Sequence, residues 1–178
     1  MAELILVRHG ETDWNRDRRY QGHADPPLND AGRAQAEQLA KSLETLELDA
    51  IYTSDLRRAA ETAELIGAGR GIPIVHDPGL REIDVGSWSG LTREEIEERF
   101  PGAAEHDGES RDQHLDRVRA TVERIAAQHA AERVLIVSHG GSIRTLRRHA
   151  LQVDSVPPVE NCTVYRLAFE GGSLRGID

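Results

Sequence analysis

The segment LILVRHG, residues 4–10, is a run of four large aliphatic residues that ends in a charged pair and a glycine. A continuous apolar run of this length is typical of a strand that is buried on both faces of a sheet. Such a strand places Arg8 and His9 at its carboxyl end, which is the edge where open α/β sheets collect their ligands. The segment therefore predicts a buried strand with a ligand site at its end.

The segment VLIVSHGG, residues 134–141, has the same design near the C-terminus. Its apolar run is followed by His139 and by two glycines, which form a predicted turn at the start of a helix. If the two strands are neighbours in one sheet, their histidines meet over the same edge. One such turn is weak support for a site, but the pair predicts a shared site that contains both His9 and His139.

Apolar spacing elsewhere in the chain alternates between the periods of strands and helices. Strands that alternate with helices imply βαβ units with a parallel sheet. We therefore predict an α/β fold with three α/β/α layers and a mostly parallel central sheet. Besides the two histidine-bearing strands, the predicted strands lie at 48–53, 72–76, 163–169 and 173–177. Five helices are predicted. The first begins at Asn29 or Asp30, the second follows an N-cap at Ser54 or Asp55, and the others begin at Thr92, near Asp112 and near Ser142.

The length of 178 residues fits one domain. We predict a single domain over residues 1–178 with a small cap-like insertion around residues 84–110. Residues 101–110 contain two glycines and a polar majority, which makes them the best candidate for a mobile lid.

The formal net charge of −9 argues against a nucleic-acid partner, because phosphate backbones are bound by clustered basic residues. No apolar stretch approaches the ~20 residues that span a bilayer, so no membrane association is expected. The first residues show no secretory signal, which predicts a cytoplasmic location. The single cysteine, Cys162, excludes an internal disulfide. The apolar C-terminal strands leave open a homodimer formed by strand pairing.

The charged residues at the two strand ends suit a phosphoryl group, whose oxygens need positively charged or hydrogen-bonding donors. Arg8, Arg58, His139 and the Gly140 amide at a helix N-terminus supply such donors. The chain has neither a paired-aspartate motif for magnesium nor the Gly-Lys-Ser/Thr loop of nucleotide triphosphatases. We predict a phosphate site that needs no metal and no cofactor.

His9 is the candidate nucleophile, because neighbouring arginines favour an unprotonated imidazole nitrogen. Phosphoryl transfer to the ring and then to water needs one proton donated and one accepted, and a single carboxyl group can do both. Glu82 lies in an irregular segment rather than on a helix face and is the candidate; Asp84 and Glu11 are weaker ones.

Other conspicuous residues receive a structural interpretation. The arginines between Arg144 and Arg148 are assigned to a solvated helix face. The remaining histidines are assigned to the surface or to packing: His23, His76, His106, His114, His129 and His149.

Five ordered motifs over nearly the whole chain resemble the histidine phosphatase superfamily, which has the phosphoglycerate mutase-like fold. They are RHGET at 8–12 with Asn15, PLN at 27–29, SDLRRA at 54–59, LRE at 80–82 and SHGG at 138–141. The resemblance implies that His9 is the phosphorylated nucleophile and that Glu82 is the proton donor and acceptor. It also implies a phosphate pocket of Arg8, Arg58 and His139, with substrate contacts from Asn15, Gln21, Gly22 and Gly140.

The resemblance favours the phosphatase branch of that family over the mutase branch. The stretch after Glu82 is short and mostly acidic and has no adjacent arginine pair, whereas mutases have a longer insertion with basic residues there. We therefore predict a metal-independent phosphomonoesterase that hydrolyses a small phosphorylated metabolite through a phosphohistidine. The acidic cap hints that the rest of this substrate is neutral or cationic.

Three alternatives stay open at this point. The first is a 2,3-bisphosphoglycerate-dependent phosphoglycerate mutase, which shares the same pocket. The second is a non-catalytic module that binds a phosphorylated ligand without turning it over. The third is a zinc hydrolase that uses His9 and His139 as ligands.

Overall fold

The computed structural model describes residues 1–177, which are built around a six-stranded mixed sheet. The strand order is β3-β2-β4-β1-β5-β6. The first four strands run parallel to one another, and the last two are antiparallel additions at one side. The prediction of a mostly parallel sheet is confirmed. The strands are β1 (Ala2–Arg8), β2 (Ala50–Thr53), β3 (Ile74–His76), β4 (Arg133–Ser138), β5 (Val164–Glu170) and β6 (Ser173–Gly176).

Six α-helices and two single 3-10 turns connect the strands. Asn29, one of the two predicted caps, begins the second helix by accepting a hydrogen bond from the Gly32 amide at 2.8 Å. Among residues 1–177, none of these helices is both long enough and apolar enough to cross a membrane. The helices are α1 (Asp13–Arg16), α2 (Asp30–Ser42), α3 (Arg57–Gly67), α4 (Arg93–Arg99), α5 (Arg111–Gln128) and α6 (Gly140–Leu151), with the 3-10 turns at Pro78–Leu80 and Gly86–Trp88.

Alternate residues of β1 pack against opposite layers of helices. Leu4 and Leu6 belong to an apolar cluster with α5 and α6, whereas Ile5 and Val7 belong to a second cluster with α2 and α3. All four side chains are fully buried, as expected for a strand covered on both faces. The predicted three-layer α/β/α architecture is confirmed.

The helices that follow β1 and β4 leave the sheet toward opposite faces. The helix α2 follows β1 into one layer, and α6 follows β4 into the other. A crevice opens at the carboxyl ends of neighbouring strands where the chain switches sides in this way. The parallel register pairs Arg8 with Ser138, so His9 and His139 follow at the same level of that crevice.

The predicted cap of α3 is wrong. The helix begins at Arg57, and no side chain at its N-cap position accepts a hydrogen bond. Instead, the Asp25 carboxylate accepts from the Arg57 amide at 2.6 Å, whereas Asp55 pairs with Arg81. A carboxylate from a distant loop thus satisfies the amide that Ser54 or Asp55 was expected to satisfy.

The segment predicted as a cap-like insertion contains the Gly86–Trp88 turn, α4 and the following loop. Thr92 caps α4, as predicted. The loop 101–110 is tied to the rest of the segment, because Asp107 accepts from the Ser87 amide at 2.7 Å and the Glu109 amide donates to the Asp84 carbonyl at 2.9 Å. The lid motion and the division into one domain with an insertion stay predictions.

The two C-terminal strands pair within the sheet of the same chain. β5 lies between β1 and β6, so both of its edges are paired. A homodimer formed by pairing of the C-terminal strands would therefore have to use β6, which lies at the edge of the sheet, and the homodimer stays a prediction.

Candidate active site

The structure brings the imidazoles of His9 and His139 into contact. Their ring centroids lie 5.2 Å apart with an interplanar angle of 61°, an edge-to-face arrangement. Both side chains are buried, with 3% of His9 and none of His139 exposed. This contact follows from the parallel pairing of β1 with β4, which places the two strand ends side by side.

The hydrogen bonding of His9 fixes the form of its ring. The Nδ1 atom lies 2.7 Å from the Gly10 carbonyl oxygen. Because a carbonyl only accepts, Nδ1 carries the hydrogen and Nε2 keeps its lone pair. Burial, followed by the charges of Arg58 and Arg8, holds the pKa of His9 well below its usual range. At neutral pH the ring is therefore in the nucleophilic form.

The guanidinium of Arg58 is held rigidly in the first turn of α3. It is buried, and it donates to the Ala24 carbonyl at 2.7 Å and to the Gly22 carbonyl at 2.9 Å. Burial lowers the pKa of Arg58 to about 10. The group therefore remains positively charged at neutral pH and is positioned to receive an anion.

Several buried nitrogen atoms in this place have no hydrogen-bond partner within the described part of the chain. Arg8 donates through Nη1 to the Val159 carbonyl at 2.6 Å. Among residues 1–177, however, the Nε atoms of Arg8 and Arg58 and both ring nitrogens of His139 have no hydrogen-bond partner. An unsatisfied buried polar group costs about 1–3 kcal/mol, so native proteins rarely keep one without a reason. The two guanidinium nitrogens can only donate, so they suit an anionic ligand.

The Glu82 carboxylate is fixed at the N-terminus of α6. Oε2 accepts from the Gly141 amide at 2.8 Å, and Oε1 accepts from the Ile83 amide at 2.9 Å. The side chain is 17% exposed and lines the same cavity as His9. A carboxyl group that is held beside the nucleophile and open to the cavity has the position of a general acid and base.

Asn15 and Gln21 are joined through Thr12. The Thr12 amide donates to Asn15 Oδ1 at 3.1 Å within the capping box of α1, and the Thr12 hydroxyl donates to Gln21 Oε1 at 3.2 Å. Both carbonyl oxygens are thus occupied, and the amide NH2 groups are left to donate to a ligand.

Gly22 and Gly140 are required by close packing at the site. Gly22 has a φ of +52°, and a Cβ there would lie 2.7 Å from a Val85 methyl carbon. Gly140 is the first residue of α6, and a Cβ there would lie 3.2 Å from Arg8 Nε. The absence of side chains lets the backbone approach the cavity and the guanidinium.

The candidate active site is a cavity of about 850 Å³ at the carboxyl edge of β1 and β4. The volume is large enough for a phosphorylated metabolite and not only for phosphate. Eight of the nine predicted site residues line it; His139 is fully buried behind the His9 ring and is not on the wall. The eight are Arg8, His9, Asn15, Gln21, Gly22, Arg58, Glu82 and Gly140.

The two weaker carboxylate candidates lie off the cavity wall. Glu11 accepts from the Asn29 side chain at 2.9 Å, and Asp84 accepts from the Gly86 amide at 2.9 Å. Both carboxylates therefore hold neighbouring loops together, and of the three candidates only Glu82 lines the cavity.

His114 was missed by the sequence analysis, which assigned it to the surface or to packing. The side chain is 2% exposed, lines the cavity and lies 3.8 Å from Glu82 Oε1. Its Nε2 is 3.0 Å from the Ser142 hydroxyl. A signal was present, because His114, Val118 and Val122 recur every four residues on the buried face of α5.

Comparison with known proteins identifies the family. A sequence profile of the histidine phosphatase superfamily (branch 1) matches residues 4–176. The chain belongs to the histidine phosphatase superfamily. Phosphoglycerate mutase-like protein 4 of Arabidopsis thaliana is 40% identical over 163 residues, which cover 84% of this chain and 71% of the relative. The metal-independent phosphoserine phosphatase of the same plant is 38% identical over 178 residues, which cover 92% and 75%.

The solved structures agree with this family membership. Bacillus stearothermophilus YhfR superposes with a TM-score of 0.90 at 39% identity, covering 99% of this chain and 95% of its own. The predicted phosphoglycerate mutase-like fold is confirmed, since a phosphoglycerate mutase from Bacillus anthracis superposes with a TM-score of 0.87 at 25% identity over 99% of this chain and 91% of that protein.

The buried imidazoles of this histidine phosphatase predict a loss of stability in acid. Burial lowers the pKa of both His9 and His139 far below the ~6.5 of an unfolded histidine, so that below this pH the unfolded chain binds protons that the folded chain does not. The free energy of unfolding should be fully retained above pH ~6.5 and fall as the pH drops toward the folded pKa values. The slope is up to about 1.4 kcal/mol per pH unit for each histidine.

Urea unfolding between pH 7 and pH 5 measures this slope. His139→Gln removes one of the two groups, and its slope should be shallower than that of the wild type by up to about 1.4 kcal/mol per pH unit. Identical slopes for the two proteins would show that His139 is not held neutral by the fold.

Proposed function

We propose that the protein is a metal-independent phosphomonoesterase that hydrolyses a small phosphorylated metabolite through a phosphohistidine on His9. The observation that carries the proposal is the buried His9 ring, with its Nδ1 bound to the Gly10 carbonyl, in a cavity that also holds the buried Arg58, the half-buried Arg8 and Glu82. The protein is a phosphoric monoester hydrolase of the histidine phosphatase superfamily, and the phosphatase name of its metal-independent relative supports this activity.

In the first step His9 Nε2 attacks the phosphorus atom. The N–P bond forms as the P–O bond to the leaving group breaks, and protonated Glu82 gives its proton to the leaving oxygen. Arg8, Arg58 and the Gly140 amide stabilise the charge on the three non-bridging oxygens. The products are a free alcohol and phosphohistidine.

In the second step a water molecule attacks the phosphohistidine. The Glu82 carboxylate takes a proton from this water, a new P–O bond forms, and the N–P bond breaks. Inorganic phosphate leaves, and His9 and Glu82 return to their starting protonation states. Direct phosphate contact by His139 stays a prediction, since its ring lies behind that of His9.

Dialysis against a strong chelator tests the independence from metal. We expect phosphate release to change by less than about twofold, because arginines and a helix N-terminus supply the positive charge that a metal otherwise supplies. The alternative zinc hydrolase predicts activity that is lost on chelation and restored by Zn²⁺, and that result would overturn the proposal.

Incubation with 3-phosphoglycerate distinguishes hydrolysis from the mutase alternative. A phosphatase releases inorganic phosphate and glycerate, whereas a 2,3-bisphosphoglycerate-dependent mutase accumulates 2-phosphoglycerate. We expect free phosphate. Binding of phosphorylated compounds with no turnover would instead support a non-catalytic module.

The wider setting of the enzyme stays predicted. We infer a small-molecule phosphomonoester as the partner and a cytoplasmic location, with no nucleic-acid partner. The net charge of −9 supports the exclusion of nucleic acid.

A further inference from the structure

We propose that the outer wall of the cavity is a second anion-binding subsite, formed by Arg111, Arg144 and Arg148. It would hold a carboxylate or a second phosphate on the leaving group of the substrate. This inference rests on the proposed function and deepens it, because it assigns the substrate class of the same cavity. We call these three residues the arginine wall.

One face of α6 lines the cavity from the phosphate end to its outer part. The α6 residues on the wall lie at positions 140, 141, 144, 145, 148 and 149. Arg144 and Arg148 follow Gly140 by one and two helical turns, about 6 and 12 Å along the axis. The Cα–Cβ bonds of a helix tilt toward its N-terminus, so the side chains of both residues, which are exposed, leave the helix on the side of the phosphate end.

The charges of the cavity are unbalanced. Six arginines line it, against the two acids Glu82 and Asp112. Arg8 and Arg58 face the phosphoryl position, and Arg19 is paired with Glu95 at 2.7 Å. None of the ion pairs found among residues 1–177 includes a member of the arginine wall. An acidic protein of net charge −9 thus presents a positive cavity, which attracts anionic substrates.

Local helix energetics do not account for Arg144. Like charges four residues apart on a helix repel, as do those of Arg144 and Arg148. Arg148 lies in the last turn of α6, where the helix dipole favours a cation, but Arg144 lies nearer the positive N-terminal end. Arg147 on the same helix has a packing role, with its guanidinium carbon 3.8 Å from the centroid of the Tyr165 ring.

The acidic residues that predicted a neutral or cationic leaving group do not lie on the cavity wall. The glutamates of α4, at positions 94, 95, 97 and 98, do not line the cavity. The segment 84–110 contributes Val85, Trp88 and His106 instead. The sign of the charge that faces the leaving group is therefore positive, which favours a substrate with a second anionic group.

Pairs of substrates that differ by one anionic group test the subsite. We expect kcat/KM for 3-phosphoglycerate to exceed that for glycerol 3-phosphate by about tenfold or more, because charge-assisted hydrogen bonds are the strong class. Fructose 1,6-bisphosphate against fructose 6-phosphate tests a second phosphate in the same way. The pair with the preference identifies the anionic group, and equal kcat/KM values within both pairs would overturn the proposal.

The double variant Arg144→Gln/Arg148→Gln tests the residues. It should reduce the preference to within about twofold, because kcat/KM should fall more for the member of each pair that carries the second anionic group than for the less charged member. Arg147→Gln is the matched control, since it removes the same charge from the same helix away from the cavity. Retention of the preference in the double variant, or its equal loss in Arg147→Gln, would contradict the subsite.

Calorimetric binding separates this inference from the proposed function. In His9→Ala, which lacks the nucleophile, 3-phosphoglycerate or the sugar bisphosphate should still bind about tenfold more tightly than its less charged counterpart. Adding Arg144→Gln and Arg148→Gln should remove the difference. A binding preference without any turnover by the wild type would contradict the phosphatase alone, and turnover without any binding preference would contradict the subsite alone.

Discussion

Replacing His9 with alanine should abolish hydrolysis, with kcat lower by roughly 10⁵-fold or more, as for other essential nucleophiles. The variant loses the nitrogen that is proposed to form the N–P bond, while the guanidinium groups of Arg8 and Arg58 remain tied to backbone carbonyls. Phosphate release from 4-nitrophenyl phosphate measures the loss. Rapid quenching in alkali with a ³²P-labelled substrate should find an acid-labile phosphoryl group on the wild type and none on the variant.

His76→Ala is the matched control for this experiment. His76 is an exposed histidine in β3, on the far side of β2 from the site, so its loss should leave kcat near the wild-type value. Inorganic phosphate should still bind to His9→Ala, because the arginines persist. Labelled protein or ordinary turnover in His9→Ala would remove His9 from its proposed role.

Replacing Glu82 with glutamine should lower kcat by about 10²- to 10⁴-fold, the usual contribution of general acid–base catalysis. Glutamine has nearly the same size, but it has no acidic proton to donate and cannot accept one from water at neutral pH. With 4-nitrophenyl phosphate the leaving group needs little protonation, so the second step should suffer most. We therefore expect a burst of 4-nitrophenol that matches, mole for mole, the phosphohistidine that accumulates with it.

Asp84→Asn provides the control on the same segment. Asp84 lies two residues from Glu82, but its carboxylate serves the Gly86 amide and is off the cavity wall. Its variant should keep kcat within a few-fold of the wild type, as expected for a residue outside the chemistry. An equal loss in both variants would indicate a structural defect of the segment, and a normal rate in Glu82→Gln would assign the proton transfer elsewhere.

The sequence predicted those parts of the fold that depend on local patterns. A run of four aliphatic residues is typical of a strand that is covered on both faces of its sheet, and β1 and β4 are such strands. The cap of α3 was not predictable in this way, because Asp25 reaches Arg57 from a loop 32 positions earlier. A local sequence pattern carries no information about such a distant partner.

The residues of the candidate site were also predicted only in part. Arg8 and His9 were found because they end a strand, and eight of the nine predicted residues line one cavity. The place of His114 on the cavity wall was not predicted; the assignment of Arg144 and Arg148 to a solvated helix face agrees with their exposure, but their place at the mouth of this cavity was not predicted either. The spacing of residues within a helix indicates which face is buried, as it does for His114 in α5, but how the helices pack on the sheet decides whether that face meets the cavity.

The amino-acid sequence by itself determined the two strand ends that carry histidine, the alternation of strands with helices and the family to which these motifs belong. Only the tertiary structure decided that the fully buried His139 ring contacts that of His9 and that arginines of α6 line the same cavity. The physical reason is that strand and helix periods arise from neighbouring residues, whereas the burial of a ring and the charge of a cavity are set by segments more than a hundred residues apart in the chain.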